Sequence, residues 1–521
     1  MYKLFLCKRY LCTRYIALVS IISVMLGVAT MIVVNSVMEG FATEMRSRLH
    51  GIYADVTLQS RTASGMPDAE AHMRRIKKVA GDDIEAMTPT VVGPAILNFR
   101  FRGQWITHQI QLIGVAEETQ NGVSDFGKYL QHPLNREQLS FILREGGYDV
   151  IDHQAKPVGK AKPREQMKKA GWPHRREMAQ LAAFNKSLED AREAAETNAD
   201  SAAEQPAGQP AGPANPFAGP SSPFKQPENV FDPAKEQHSG AVVGIAIASF
   251  RNAKGEDHFT MLPGDDVQIT FANTTSQPPK PASDTFTVVD LYESKMSEHD
   301  SKIVFVPIER LQKLCGMIDP STGIGAVSSI QIKVKEGVDP AVVRDKLNGA
   351  FSQHFYMAYT WEDAQGALLA AVDLEIIILN ILLFMIITVA GFGILAIFYM
   401  VVVEKTRDIG ILKSLGASDR GVMGIFLTYG MSLGLVGAGA GMVIGLLFVA
   451  YINEIAKLLG KITGRPVFSP DIYYFYEIPT IVQPFTVAWI VLGAMAIAVA
   501  ASVLPAQRAA NLHPVEALRY E

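Results

Sequence analysis

Charged side chains are scarce in this 521-residue chain: 19% of residues are Asp, Glu, Lys or Arg, against roughly 25% in soluble domains. The 48 basic and 52 acidic residues nearly cancel, so the overall charge gives no reason to expect a nucleic-acid partner. Cysteine is almost missing; Cys7, Cys12 and Cys315 cannot build a disulfide framework. No GxxxxGK[ST] phosphate loop occurs, so no ATP site is read on this chain. The 11 histidines are scattered, with none in HExxH or at Cys/His metal spacing, so no metal or other cofactor is expected here. Catalytic residues are not expected either. Cys315, within RLQKLCGM, reads as a small buried hydrophobe rather than a nucleophile. Gly430-Met431-Ser432-Leu433-Gly434 fits GxSxG, but it lies in an apolar run and reads as helix packing. Gly264-Asp265-Asp266 reads as a turn into a strand.

Long uncharged runs are what the chain does have. None of the segments 15–38, 376–403, 421–453 and 478–507 contains a charged residue. Each exceeds the roughly 20 apolar residues that a membrane span needs. The sequence therefore predicts an α-helical integral membrane protein with four spans. A large α+β extracytoplasmic domain, residues 39–375, is inserted between spans 1 and 2. The first run is too long for a signal peptide and reads as an uncleaved anchor. Lys3, Lys8, Arg9 and Arg14 precede it, and Lys405, Arg407, Lys413 and Arg420 fill the loop 404–420. The positive-inside bias then makes 1–14, 404–420 and 508–521 cytoplasmic and leaves 454–477 outside. The spans lack acidic or basic residues at mid-depth, which argues against a proton- or ion-coupled transporter.

Inside 39–375, β-rich runs at 54–60, 106–113, 242–248, 267–271, 285–291, 303–307 and 328–334 predict strands. Segments 67–79, 340–351 and 361–371 predict helices from their apolar spacing and their starting Pro or acid. Between about 152 and 240 this pattern fails. Residues 174–197 could form one helix, but the Pro/Ala/Gly-rich composition, strongest over 205–233, predicts a disordered insertion over about 152–240, either a tolerated surface loop or a tether. Phe41, Met45 and Leu49 extend the first span outward as a helix, and 361–374 leads into the second.

In the loop 404–420, Ile409, Leu412 and Leu415 recur at three-residue spacing beside Ile411, with charges at Lys405, Arg407, Asp408 and Lys413. That pattern predicts a short amphipathic helix, stopped by Gly416 and followed by Ser418 as N-cap of the next span. Two roles stay open: an interfacial anchor, or a coupling helix docked on a cytoplasmic motor. In span 3, Gly437, Gly441 and Gly445 form a small-residue face, for packing within the chain or for a dimer. Asn35, Asn380 and Thr388 are read as interhelix hydrogen-bonding groups rather than substrate contacts.

The loop EKTRDIGILKSLGAS, residues 404–418, resembles the cytoplasmic loop of the FtsX-like permease family of ABC transporters. LPAQRAANLHPVEALR, residues 504–519, resembles that family's C-terminal signature. The apolar run closed by Ser36-Val37-Met38-Glu39-Gly40-Phe41 is similar to the first span of the LolC/LolE lipoprotein-releasing branch. The order of one span, a domain and three spans is shared with that branch and with MacB-like permeases. The resemblance implies a MacB-like periplasmic domain and an ATPase-coupling site at Glu404, Lys405, Arg407, Asp408, Ile409, Leu412, Lys413, Leu415 and Gly416. It also implies partners: a cytoplasmic ABC ATPase that binds the ATP, a second permease chain, membrane lipid and, on the lipoprotein-releasing branch, lipoprotein cargo and a periplasmic carrier. The implied place is a bacterial inner membrane, with both termini cytoplasmic. The implied function is lipoprotein release; the alternatives are FtsX-like signalling to cell-wall hydrolases and MacB-like force transmission in efflux.

Overall fold

The computed structural model describes residues 15–62, 64–152, 163–203, 231–251, 257–273, 280–463, 478–513, 515 and 517. The chain divides into two compact units, one of Met1–Arg48 with Gln365–Glu521 and one of Leu49–Ala364. Lys3, Lys8, Arg9, Arg14, Arg465 and Arg519 lie outside the described residues, as do Cys7 and Cys12.

Helix α1 spans Tyr15–Ile52, so the first apolar run does continue as one helix through Phe41, Met45 and Leu49. The α/β unit follows. Its first half is built from strand β1 (Val56–Ser60), helix α2 (Ala69–Ala80) and strand β2 (Ile84–Phe101). Asp68 caps α2 by accepting from the Ala71 N–H at 3.0 Å. Strand β3 (Gln104–Val115) pairs with β2 along a long antiparallel hairpin.

The segment expected to be disordered is partly built. Residues 163–175 pack into the unit, with Arg164, Met167, Ala170 and Arg175 buried. Helix α3 then spans Trp172–Ala203, longer than the predicted 174–197. Met178, Leu181, Phe184 and Leu188 on α3 stay exposed. Most of the Pro/Ala/Gly-rich stretch, residues 204–230, lies outside the described residues.

Strands β4 (Ser239–Gly244), β5 (Ser249–Arg251), β6 (Asp257–Phe259), β7 (Asp266–Asn273), β8 (Lys280–Tyr292) and β9 (Ile303–Pro307) come next. The run predicted as one strand at 242–248 is interrupted, because Ile245–Ala248 turns into a short helix that buries Ile245, Ile247 and Ala248. Helix α4 (Ile308–Cys315) buries Ile308 and Leu311 and ends at Gly316 with φ +69°. Strand β10 (Ser329–Val334), helix α5 (Pro340–Ala350) and strand β11 (Tyr356–Thr360) complete the unit. Pro340 opens α5 and Asp339 caps it, accepting from Ala341 N–H at 2.9 Å.

The nine-stranded sheet has the order β11-β1-β10-β2-β3-β9-β4-β8-β7. β1-α2-β2 and β10-α5-β11, all antiparallel in the order β11-β1-β10-β2, make a ferredoxin-like split βαβ half. Everything from β3 to α4 is inserted between its second and third strands. Strand β2 was not foreseen, and its length serves two purposes. Residues 84–90 pair with β10, while Ala95–Asn98 pair with β7 and close a ring of six strands. The main core runs through both parts, from Val56 and Leu58 to Val288, Val304 and Ile330.

The other unit holds helices α6 (Gly366–Glu404), α7 (Thr406–Ser414), α8 (Asp419–Ala450), α9 (Ile452–Thr463) and α10 (Pro484–Ala510), together with most of α1. The helix predicted over 361–371 is broken at Gln365, which caps α6. Among the described residues four helices are long and apolar enough to cross a membrane: α1, α6, α8 and α10. The mixed α/β unit lies between the first and second of them in the chain. Their shared core includes Val24, Val28 and Ile32 of α1, Ile394 and Phe398 of α6, Leu433 and Ala438 of α8, and Ala494 and Ala498 of α10.

Candidate functional site

The site predicted around α7 is built at one end of the helical bundle. Helix α6 ends at Glu404, where the Lys405 N–H turns back to the carbonyls of Val401 and Val403. Thr406 is buried, and its hydroxyl donates to the carbonyls of Val402 and Val403 at 3.0 and 2.8 Å. This closes the break between α6 and α7. Lys405 pairs with Asp408 at 2.8 Å. Glu404, Arg407 and Asp408 are exposed.

The apolar stripe of α7 is divided. Ile409 is 3% exposed and belongs to the bundle core. Leu412 is half-buried and lines a small cavity of about 40 Å³ with Ile409, Val422, Phe426 and Tyr429. Leu415 is 81% exposed and Ile411, four residues earlier, 44%. The inner part of the stripe is used to seat α7 on its own chain. Ile411 and Leu415 form an exposed apolar surface on the other side.

Lys413 does not sit on an open face, as its charge suggests. Its ammonium donates to the carbonyls of Ala510 and Leu512 at 2.6 and 2.8 Å and pairs with Asp419 at 2.9 Å. The side chain is 11% exposed. One lysine thus ties α7 to the end of α10 and the start of α8. The carbonyls at a helix C-terminus have no partner within the helix, so a cation there is well placed. Arg508 adds a contact nearby, its guanidinium 5.8 Å from the ring of Tyr399.

Gly416 stops α7 with φ +90°, a left-handed conformation that favours glycine. The Ala417 N–H reaches the Leu412 carbonyl at 3.0 Å. Ser418 caps α8 by accepting from Gly421 N–H at 3.2 Å. Both readings made from the sequence hold.

The predicted glycine face of α8 is packed inside the chain. A Cβ on Gly437 would lie 2.9 Å from Val24 Cβ, and one on Gly441 would lie 2.6 Å from the Met25 carbonyl oxygen. On Gly445 it would lie 3.2 Å from Ala29 Cα and Ile32 Cβ. All three face α1. The GxSxG glycines face α10 instead, with Gly434 opposite Ala498. Asn35 and Thr388 donate to carbonyls four residues back on their own helices, Met31 and Phe384, rather than between helices. This local bond needs no facing partner.

The α/β unit carries its charge in a buried network that sequence reasoning missed. Arg164 donates to both carboxylate oxygens of Glu293 at 2.9 and 2.8 Å and to Asp257 at 2.8 Å. Lys295 pairs with Glu293 at 2.8 Å and with Asp152. Asp152 and Arg164 flank residues 153–162, so the network fixes both ends of that segment on the end of β8. Nearby, Asp290 accepts from Asn135 and from the N–H groups of Gln131 and His132, while burial pushes its carboxyl up to about 6. Burial also pushes Asp300 up to about 7 and His299 down to about 4. Asp290 and Asp300 are buried and held by hydrogen bonds, Asp300 by the Ser294 N–H and hydroxyl. Burial raises the Cys315 thiol, which suits the packing role expected of it. Among the described residues no group of three or more His, Cys, Asp or Glu is placed to hold a metal ion.

Residues 380–514, from within α6 to past the end of α10, match the family described as FtsX-like permease C-terminal. The chain is a multi-pass membrane protein. It is similar to the lipoprotein-releasing system transmembrane protein LolC of Xylella fastidiosa (strain 9a5c), with 31% identity over 265 residues, 50% of this chain and 61% of the relative. It is also similar to the corresponding LolE of Haemophilus influenzae, with 25% identity over 284 residues, 54% of this chain and 65% of the relative. A third relative is the macrolide export ATP-binding/permease protein MacB of Bdellovibrio bacteriovorus, 25% identical over 234 residues, 43% of this chain and 32% of the relative. The chain spans less than two thirds of the length of each. The resemblance read from residues 404–418 and 504–519 is borne out.

Proposed function

We propose that this chain is the permease subunit of an ABC transporter, of the lipoprotein-releasing kind, and that a separate cytoplasmic ATPase binds and hydrolyses the ATP. The observation that carries the reading is the division of α7. Ile409 and Lys413 bind it to its own bundle, while Ile411 and Leu415 are offered outward beside Arg407 and Asp408. A helix seated in this way can pass a push from a docked motor to α6, α8 and α10. In this reading four spans cross the inner membrane, the termini and α7 are cytoplasmic, and the α/β unit is extracytoplasmic. Motion of the spans reaches that unit through α1, which continues as one helix to Ile52. A second permease chain completes the complex.

Two measurements test the reading. Exposed Ser187 in α3, replaced by Cys, should react with an impermeant maleimide in intact spheroplasts, and Ser414→Cys should react only after lysis; the reverse pattern overturns the topology. The chain should co-purify with an ABC ATPase and stimulate it, and proteoliposomes of that complex should release lipoprotein. ATP hydrolysis by this chain alone would refute the borrowed-energy reading. Stimulated ATPase without release would favour signalling or efflux.

A further inference from the structure

Helix α9 follows α8 almost without interruption. Tyr451 bends the backbone, yet the Ile455 N–H still bonds to the Tyr451 carbonyl at 2.9 Å. At 1.5 Å per residue the 32 residues of α8 measure about 48 Å, against a hydrocarbon core of about 30 Å. Its far end therefore reaches the headgroup level, on the membrane face opposite α7. There the composition changes. The uncharged run ends, and Glu454, Lys457 and Lys461 appear within three turns. Apolar residues nevertheless continue on one side. At 3.6 residues per turn, Ile452, Ile455, Ala456, Leu458, Leu459 and Ile462 fall within an arc of about 160°, and Asn453, Glu454, Lys457 and Lys461 fall outside it.

Among the described residues only Ile452 of this face is buried. Leu458 is 60% exposed, Leu459 43% and Ile462 73%. The start of the helix is fixed, because the Asn453 side chain accepts from the Ile478 N–H at 2.8 Å, just ahead of α10. We infer that α9 is an interfacial helix: its Leu458/Leu459/Ile462 face lies in the headgroup–acyl boundary of the phospholipid leaflet, and the opposite side, with Lys457 and Lys461, faces the aqueous side of the headgroups. Two observations select lipid as the occupant. The apolar face is continuous with a helix that already crosses the bilayer. The polar side, opposite that face, carries two lysines, Lys457 and Lys461, with Glu454 as its one acid, the charge pattern of a helix lying at a membrane surface. The inference rests on α8 crossing the membrane and not on what the complex transports.

The test uses the full chain with Cys7, Cys12 and Cys315 replaced by Ser, reconstituted in vesicles of phosphatidylethanolamine and phosphatidylglycerol. Bimane is attached to Leu458→Cys, Ile462→Cys or Lys457→Cys, and to Val443→Cys on the exposed side of α8 as a reference. Expected is loss of fluorescence at positions 458 and 462 with doxyl-labelled lipid, with protection from aqueous iodide, and the opposite pattern at 457. Iodide quenching at 458 and 462 without lipid quenching would place the face in water and overturn the inference. Protection from both quenchers would mark a protein partner, such as a second copy, and would overturn it as well. Lipid quenching at 443 alone refutes the interfacial helix and leaves the span intact. Its absence at all four positions refutes both.

Discussion

Lys413 and Ala510 are joined at 2.6 Å, the ammonium of one on the carbonyl of the other, across 97 residues of sequence. Through this bond the short helix α7 is registered against the last spanning helix. Lys413→Ala should loosen that register. Hydrogen bonds from a charged group contribute about 1.5–3 kcal/mol. The expected outcome is a lower melting temperature of the detergent-purified chain and weaker stimulation of the ATPase, with Lys413→Arg recovering part of both. A melting curve and stimulation equal to wild type would remove the clamp from the mechanism.

The exposed and buried halves of α7 should separate in mutagenesis. Leu415→Asp and Ile411→Asp should reduce co-purification of the ATPase at unchanged chain stability, because surface changes stay within about 0.5 kcal/mol. Ile409→Asp should instead lower the melting temperature, since it places a carboxylate in the core without a partner. Leu412→Asp, half-buried, should do some of each. Pull-down at equal permease levels together with thermal unfolding separates these patterns.

Glycines on α8 give a graded test of packing. Gly441→Ala directs a methyl group at backbone, the Met25 carbonyl oxygen, at 2.6 Å. Overpacking of this kind costs about 1–3 kcal/mol. Gly439→Ala meets nothing within 4 Å and should be neutral or mildly stabilising. Equal melting temperatures for the two variants would contradict the α1–α8 contact.

The buried network predicts a large loss for a single change. Arg164→Met leaves Glu293 inside the α/β unit without its bidentate partner, and breaking a buried pair in this way costs about 3–5 kcal/mol. Thermal unfolding of the full chain should show it, and simultaneous replacement of Glu293 by Gln should restore part of the loss.

Asp300 predicts a pH dependence with a definite sign. Burial raises its folded-state carboxyl from 3.8 to about 7, so the folded chain holds a proton that the unfolded chain has released. Its contribution to stability is therefore greatest near pH 4 and is lost as pH rises through 7. His299, lowered from 6.5 to about 4, works in the opposite direction below pH 6.5. Asp300→Asn should accordingly gain in relative stability over wild type as pH is raised from 6.5 to 8, read as the difference between the two melting temperatures. A difference that does not change with pH would refute the assignment.

The membrane helices were legible because the bilayer imposes a simple rule on composition: 376–403 and 421–453 need only be long and uncharged. The short elements of the loop 404–420 were legible for local reasons, since Gly416 and Ser418 act through their own backbone neighbours. What depended on distant partners was not. Nothing near Lys413 in the sequence announces Ala510 and Leu512, so its charge suggested an open face. Strand β2 escaped notice because its two halves pair with β10 and β7 and its burial does not alternate regularly. Arg164 sits in a stretch of low hydrophobicity, and only the folded chain brings Glu293 and Asp257 to it. Helix α9 falls within 454–477, the segment expected to be an extracytoplasmic loop, because Glu454, Lys457 and Lys461 end the uncharged run that marks a span.

The contact of α1 with the glycines of α8 bears on how the protein is made. Val24, Val28 and Ile32 enter the membrane early in synthesis, and the surface they fit does not exist until the whole α/β unit and α6 have been translated. In that interval α1 has lipid, or another protein, where Gly437, Gly441 and Gly445 will later stand. Assembly of the bundle is thus a late docking of helices already inserted, in which close fit rather than exclusion from water selects the partner.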